Sequence, residues 1–260
     1  MAITAQMVKE LRERTGIGMM ECKKALVASD WDMEKAIEEL RKKGLAKAAK
    51  KADRDTFEWA IKIKVEWDKA YIVTVACETD FLANSDKFKA MLDDLVNFVK
   101  ENGANIEKAQ EYINKNYALE MGENLSIKEL KVIEAPVIAS YVHSNGKLAS
   151  IVTAKEWTDP ELLKQVAMHI TASNPEFLSP NDIPEEVIEK EKEIQLEQMK
   201  NDPKMAWKPE QVLLKIIEGK MGKFKGEISL LEQAFVIDPS KKVKDIIWED
   251  SIISFERIAI

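Results

Sequence analysis

The chain has 260 residues, of which 45% are hydrophobic and 33% charged, and its formal net charge at pH 7 is −7. The hydrophobic content supports one or two domains with a sizeable core. The acidic and basic residues are interspersed, unlike the clustered Lys and Arg of a nucleic-acid groove. We therefore expect no direct nucleic-acid binding. No apolar run reaches the length of a membrane span, so we also expect no membrane association. Cys22 and Cys77 lie far apart in sequence, which favours reduced thiols and a cytoplasmic location.

The first fifty residues have the 3.6-residue periodicity of three short helices. Thr4 is the predicted N-cap of the first helix, the glycines of TGIG at 15–18 separate it from the second, and Gly44 is predicted to end the third. LAKAAKKADRD at 45–55 lacks an apolar face, which predicts a helical or flexible linker. The pattern predicts a small three-helix bundle followed by that linker.

From residue 56 the apolar period changes from 3.6 to 2, which predicts a β-hairpin with one buried face. An amphipathic helix is predicted from about Asp86, then a second helix, and then a strand at SIKELKVIEA. The apolar positions of the hairpin are Phe57, Trp59, Ile61, Ile63, Val65 and Trp67 in the first strand, and Tyr71, Val73, Val75 and Cys77 in the second.

The same order of elements then recurs. VIASYVH and KLASIVTA flank an Asn145-Gly146 turn, a strong hairpin signal, and Asp159-Pro160 begins an amphipathic helix. Two successive hairpin-plus-helix units indicate an internal duplication of an α+β subdomain.

Residues 185–225 predict two helices joined by a loop that contains two prolines. The first helix is highly charged and has a thin apolar stripe that includes Val187 and Ile194, so the pair is predicted to form an antiparallel hairpin standing off the body. The tail is predicted to be strand, helix and strand, pairing back onto the second subdomain. The α+β architecture then comprises an N-terminal domain and linker at 1–55, subdomain 1 at 56–136, subdomain 2 at 137–184 and 226–260, and the inserted arm at 185–225.

The sequence has few features of a catalytic site. It contains no GxxxxGK[ST] or GxGxxG loop, and neither His143 nor His169 lies at zinc-ligand spacing from a cysteine. We therefore expect no metal site, no cofactor and no enzyme activity. A thiol hydrolase using Cys77 or Cys22 stays open as an alternative, although the apolar side of a strand, where Cys77 falls, favours a packing role.

The segment VACETDFL at 75–82 poses a question, because an acid and a large ring follow a well-patterned strand. One interpretation is that Phe81 covers the core and Asp80 caps the following helix. The other is that both side chains contact a partner.

Six segments, in the same order, resemble the elongation factor Ts family. Together they extend over essentially the whole chain, and their joint occurrence is more specific than any one of them. They are MVKELRERTGIGMMECKKAL (7–26), CETDF (77–81), MGENLSIKEL (121–130), SYVHSNGKLA (140–149), AMHITASNPEFL (167–178) and MGKFKGEISLLEQAFVIDPSKKV (221–243).

The resemblance implies a guanine-nucleotide exchange factor for elongation factor Tu. Such a protein acts by binding, needs no cofactor of its own, and acts on the partner's Mg²⁺ and GDP. It implies a UBA-like N-terminal domain, two related α+β subdomains and an inserted antiparallel coiled coil. A passive adaptor that binds a partner without changing its nucleotide state is the alternative. Self-association through the coiled-coil arm is also left open.

The resemblance also implies the site residues. Phe81 would insert into the partner as a wedge and Asp80 would disturb the Mg²⁺ environment, while Thr79 and Leu82 hold the turn. Each further candidate also has a structural interpretation: core packing for a methionine, solvation for a lysine, a turn for the glycine and an exposed hairpin end for the histidine. These partner-binding candidates are Met19, Met20, Lys23, Lys51, Met121, Gly122 and His143.

Three features depart from the family pattern. Ala76 stands where the family often has Asn, which predicts a missing hydrogen bond beside the wedge. The chain stops at Ile260, before the C-terminal helical module of longer members, which predicts a lost contact. The arm loop DPKMAWKP at 202–209 is unlike that of relatives, which puts self-association in doubt.

Overall fold

The computed structural model describes residues 5–202 and 209–259. Within them the chain has the predicted α+β character, with helices beside two three-stranded antiparallel sheets. The predicted N-cap Thr4 and the arm-loop residues 203–208 lie outside the described residues. The chain divides into two compact units, one extending to Glu134 and including Ser144–Lys147, the other formed by Ala135–His143 and Leu148–Ala259.

The first unit begins with three helices, α1 at Ala5–Thr15, α2 at Met19–Ala28 and α3 at Met33–Lys51. Asp32 caps α3, because its carboxylate accepts hydrogen bonds from the backbone N–H groups of Glu34 and Lys35, both at 3.1 Å. The three helices share an apolar core, as the periodicity predicted: Val8, Leu11, Ile17, Cys22, Ala25, Leu26, Ala36 and Leu40.

The prediction that Gly44 ends α3 is wrong. Of the two alternatives for the segment from residue 45, the helical one is confirmed for 45–51, but this helix continues α3 and has a packing face. The helix continues because Gly44 packs against α6, at Ile106–Asn116. A Cβ at Gly44 would lie 3.2 Å from the carbonyl oxygen of Asn114 and 3.3 Å from that of Lys115. Ala48, one turn further on, is buried as well. Small residues thus form a packing face that a search for large apolar side chains does not detect.

The first sheet has the order β1-β2-β3, with β1 at Glu58–Glu66, β2 at Lys69–Cys77 and β3 at Ser126–Glu134. The prediction of one buried hairpin face is wrong, because the central strand β2 is buried on both sides. Val73 and Val75 pack against α5, at Asp86–Asn102, while Ile72 and Thr74 on the opposite face are fully buried too. The two aromatic residues flanking β1 lie outside the core: Phe57 is 71% and Trp67 is 95% exposed.

Two one-turn helices complete this unit. The first, α4 at Asp80–Ala83, follows β2, and the second, α7 at Ala118–Met121, lies between α6 and β3. The second helix predicted after Asp86 is therefore interrupted at Tyr117, which lies between α6 and α7.

The second unit contains β4 at Val137–Val142, β5 at Leu148–Ala154, α8 at Pro160–Ser173 and β6 at Ile252–Ala259. The sheet has the order β4-β5-β6, so the end of the chain does pair back, as predicted. The predicted strand and helix before it are wrong. Residues 230–251 instead contain three short 3₁₀ turns, around the buried side chains of Leu230, Phe235 and Val243.

The arm contains α9 at Glu185–Asn201 and α10 at Glu210–Ile228, which pack on each other. The predicted stripe is wrong at Ile194, which is 40% exposed. The contact instead uses Ile188, Leu196 and Met199 of α9 with Leu213, Ile217, Met221 and Phe224 of α10. Coiled-coil geometry stays a prediction, as do the four domain bounds.

Candidate functional site

Phe81 lies on the single turn of α4, directly after the central strand of the first sheet. Thr79 is the N-cap, since its Oγ1 accepts a hydrogen bond from the backbone N–H of Leu82 at 3.3 Å. Leu82 is buried at 8% exposure, whereas Phe81 is 87% exposed and Asp80 is exposed. The interpretation of Phe81 as a core cover and Asp80 as a cap is therefore wrong. The ring stands in solvent on a turn that the buried leucine attaches to the core.

The Glu123 carboxylate supports this turn from the segment after α7. Its Oε2 accepts hydrogen bonds from the backbone N–H groups of Glu78 and Thr79, both at 2.9 Å. Its Oε1 accepts from the Thr79 hydroxyl at 2.6 Å. Ala76, where a support was predicted to be missing, is buried in β2 between its partners Trp59 and Ser126. The support comes from Glu123 instead.

The carboxylate of Glu78, at the exit of β2, makes the reverse contact to the segment after α7. Glu78 accepts a hydrogen bond from the backbone N–H of Asn124 at 2.7 Å, and Arg54 lies 3.4 Å from the same carboxylate. The Asn124 side-chain amide donates to the carbonyl oxygens of Arg54, at 2.7 Å, and Ala52, at 3.3 Å. The end of α3, the exit of β2 and the turn after α7 thus meet at one place.

Three predicted residues belong to this junction. The Lys51 ammonium group donates to the carbonyl oxygen of Gly122, so it has a partner within the chain besides solvent. Gly122 has a left-handed backbone with φ of 75°, which fits the turn interpretation. Met121 is half-buried against the core of the first unit.

Met19, Met20 and Lys23 lie apart from that junction, at the start of α2. Met19 is 54% and Met20 is 65% exposed, so neither is a core residue, and Lys23 is exposed too. The nearby helix α7 joins the two places, because its Leu119 packs against the core of the three N-terminal helices. The same short helix ends at Met121, beside the junction.

His143 belongs to the second unit and is exposed at the end of β4. Its Nδ1 lies 3.3 Å from the hydroxyl of Tyr141. The interpretation as an exposed hairpin histidine fits this position, and a role in partner contact stays a prediction.

Three buried titratable side chains, those of Cys22, Cys77 and His169, are packed inside the protein. Burial raises the pKa of the Cys77 thiol to about 12, and Cys77 donates to the carbonyl oxygen of Thr79 at 3.3 Å. Burial also raises the pKa of Cys22. Because a hydrolytic cysteine needs a lowered pKa, the thiol hydrolase alternative is disfavoured. His169, as predicted, is a core residue: its Nε2 lies 2.9 Å from Gln233, its Nδ1 accepts from the backbone N–H of Val236, and burial lowers its pKa.

Sequence reasoning found the exposed ring but missed its supports. The sequence patterns predict no role for Glu78, Glu123 or Asn124. A signal was available in MGENL, where an acid and an amide directly follow a turn glycine. Among residues 5–202 and 209–259, no group of three His, Cys, Asp or Glu could hold a metal ion, and no helix is long and apolar enough to cross a membrane.

The candidate site is an exposed ring and carboxylate on a turn that Thr79 and Glu123 hold. Comparison with known proteins gives the family. Residues 78–260 match the family model described as "Elongation factor TS". Elongation factor Ts of Vibrio vulnificus (strain YJ016) is 44% identical over 265 residues, covering 100% of this chain and 92% of the relative. Elongation factor Ts of Yersinia pestis (strain Pestoides F) is 43% identical over 267 residues, with the same coverage.

The chain therefore belongs to the elongation factor Ts family, and its process is translation elongation in protein biosynthesis.

Proposed function

We propose that this protein is a guanine-nucleotide exchange factor that binds elongation factor Tu loaded with GDP and promotes GDP release. It would act by binding, without a cofactor of its own, on the partner's Mg²⁺ and nucleotide. The observation that carries the proposal is Phe81, a large ring 87% exposed on a turn anchored by a buried leucine and a carboxylate. Family membership supplies the partner.

The mechanism follows from the shape of the turn. A phenyl ring has few rotamers and a large contact area, so an anchored ring can separate partner side chains. Asp80 lies next to it and is exposed, so its charge would enter the same place. Mg²⁺ requires near-octahedral oxygen ligands, and a small displacement of them would weaken its binding and that of GDP. Met19, Met20, Lys23, Met121, Gly122 and His143 would add contact area, and Lys51 would hold the turn at Gly122.

The remaining features of the family are part of the same proposal. The N-terminal helices would form a UBA-like domain and the arm a coiled coil, with the protein acting in the cytoplasm. We expect no direct nucleic-acid contact. Self-association through the arm would appear as a concentration-dependent mass in sedimentation equilibrium.

The test measures release of a fluorescent GDP analogue from elongation factor Tu. Wild-type protein is expected to accelerate release, and Phe81→Ala to reduce the acceleration at least tenfold. The matched control is Trp67→Ala, because Trp67 is 95% exposed at the other end of the same hairpin. Its effect should stay below twofold. Binding without acceleration by the wild-type protein would instead establish the passive adaptor.

A further inference from the structure

We infer that Glu123 is the positioning residue for the Phe81 turn, holding the backbone in the orientation that nucleotide exchange uses. This inference rests on the exchange function proposed above. It concerns a half-buried residue whose carboxylate oxygens bond the segment that carries Phe81.

The pairing of β2 with its neighbours ends just before the turn that carries Phe81. The last paired residues of β2 are Ala76 on the β3 side and Cys77 on the β1 side. The next two N–H groups, of Glu78 and Thr79, therefore have no strand to bond to. Both donate to one oxygen of Glu123 at 2.9 Å. Hydrogen bonds to an ionised carboxylate are stronger than those to a neutral acceptor, so this oxygen fixes two successive peptide planes.

The contacts of Glu123 continue into the turn. The Thr79 hydroxyl donates to the other carboxylate oxygen at 2.6 Å and accepts from the Leu82 N–H at 3.3 Å. Phe81 lies between those two residues. Because its ring is 87% exposed, core packing does not set its direction, and the backbone alone does. Glu123 holds that backbone on the strand side, and Leu82 holds it on the core side.

The Glu123 support is itself held. Glu78 accepts from the Asn124 N–H at 2.7 Å, so each segment offers a carboxylate to the backbone of the other. The Asn124 amide then bonds the carbonyl oxygens of Ala52 and Arg54. The segment that carries Glu123 is therefore tied to the end of α3 by its own neighbour, Asn124.

Positioning of this kind acts on the rate. A ring that enters the partner after the first complex has formed loses less freedom in that step when its backbone is already ordered, so the ordered turn lowers the barrier to GDP release. Loss of Glu123 should therefore lower the maximal rate of GDP release more than it changes the elongation factor Tu concentration at half-maximal rate, since the other contact surfaces remain.

The experiment compares Glu123→Ala and Glu123→Gln with wild type in the release assay. Glu123→Ala removes both acceptor oxygens and the three hydrogen bonds that they accept. It should lower the maximal rate at least tenfold, with less than a threefold change in half-saturating concentration. Glu123→Gln retains one oxygen acceptor without the charge, so its maximal rate should lie between those of wild type and Glu123→Ala. Glu111→Ala, at an exposed glutamate of α6, is the matched control and should stay within twofold of wild type.

Two further readouts separate positioning from general loss of structure. In a Phe81→Ala background, Glu123→Ala should have less than a twofold further effect, because both changes remove the same presented ring. In amide hydrogen exchange of the free protein, the N–H groups of Glu78 and Thr79 should exchange at least tenfold faster in Glu123→Ala. The amides within β2 should stay protected from exchange in Glu123→Ala and in Phe81→Ala.

The outcomes distinguish the two proposals. If wild-type protein accelerates release and Glu123→Ala does so equally well, the inference is overturned and the exchange function stands. Full additivity with Phe81→Ala, or unchanged exchange of the two amides, overturns it as well. If wild-type protein does not accelerate release, the exchange function fails first and the positioning role falls with it.

Discussion

The central strands of the two sheets end in similar ways and are supported differently. After β2 an exposed Phe81 is followed by the buried Leu82, and after β5 an exposed Trp157 is followed by the buried Thr158. The ring is 87% exposed in the first case and 61% exposed in the second. An amphipathic helix follows in both units. The repeated order of elements thus places an aromatic side chain at both strand exits.

The two strand exits differ in the contacts that support them. The backbone before Phe81 donates to the Glu123 carboxylate, whereas the Trp157 ring lies under the ammonium group of Lys155, 5.2 Å from the ring centroid. Trp157 also lines an apolar groove of about 620 Å³ with Trp248. The first support orders the main chain and leaves the ring in solvent, while the second acts on the ring itself. The order of elements places an exposed aromatic residue at both exits. The neighbouring charged groups differ, since a carboxylate bonds the backbone at the first exit and an ammonium group lies over the ring at the second.

The largest expected effect is on the buried residue of the first exit. Leu82→Ala should lower the free energy of unfolding by about 2–5 kcal/mol, because it leaves a cavity under the turn. Phe81→Ala, one position earlier, should change it by less than about 0.5 kcal/mol, since the ring is exposed. Urea unfolding measures both. Equal losses would mean that the ring, too, belongs to the core.

The second effect compares the two rings in nucleotide exchange. Phe81→Ala should slow the accelerated release of GDP at least tenfold, equivalent to about 1.4 kcal/mol in the barrier. Trp157→Ala should stay within about twofold, equivalent to about 0.4 kcal/mol. The comparison fails if removal of Trp157 slows release as much as removal of Phe81.

The third prediction is that the two units respond to opposite ends of the pH range. Burial lowers the pKa of His169, so the unfolded chain binds more protons and the second unit should lose stability as pH falls below 6.5. Burial raises the pKa of Cys77 from 9.0 to about 12, so the first unit should lose stability as pH rises through that interval. Urea unfolding between pH 5 and 12, compared between wild type and a variant in each unit, measures both. His169→Gln should remove the acid effect of that histidine. Cys77→Ala should weaken the alkaline effect without abolishing it, because burial also raises the pKa of Cys22 in the same unit.

A smaller change is expected at the buried residue of the second exit. The Thr158 hydroxyl is buried and finds no hydrogen-bond partner among the described residues. Thr158→Val keeps the shape and removes that group, so it should stabilise the protein by about 1 kcal/mol. Thr158→Ser, which keeps the hydroxyl and loses a methyl group, is the control and should destabilise. A loss of stability in Thr158→Val would show that the hydroxyl has a partner.

The smallest effect concerns the cation over the second ring. Lys155→Met keeps the aliphatic chain and removes the charge, so it should lower the free energy of unfolding by about 0.5 kcal/mol. Lys155→Arg should retain most of the interaction. Thermal unfolding of both variants in a Trp157→Ala background is the control, because the difference between them should then disappear.

Much of this architecture could be predicted from the sequence. The apolar side chains of α5 at Phe88, Leu92 and Leu95, and the buried face of α8, follow directly from a 3.6-residue period. The start of a helix at Asp159-Pro160 and the pairing of the chain end back onto the second unit were also predicted correctly. Such features depend on near neighbours, and a period or a cap is visible in a short window.

The errors share a different cause. Gly44 continues a helix because the carbonyl oxygens of Asn114 and Lys115 lie close to it, and β2 is buried on both faces because it is central. Both facts depend on segments far along the chain. The local sequence does not show how many distant segments will pack on a small residue or on a strand with alternating apolar residues.

What the sequence by itself determined is the α+β order of elements, the apolar faces of the main helices, and an acid and a ring at the end of a strand. Only the tertiary structure decided that Phe81 is exposed and that Glu123, 42 positions later, supports it. The physical reason is the range of the interactions. Periodicity and capping act within a few residues, whereas a carboxylate finds its backbone donors only after the chain has folded and brought them within hydrogen-bond distance.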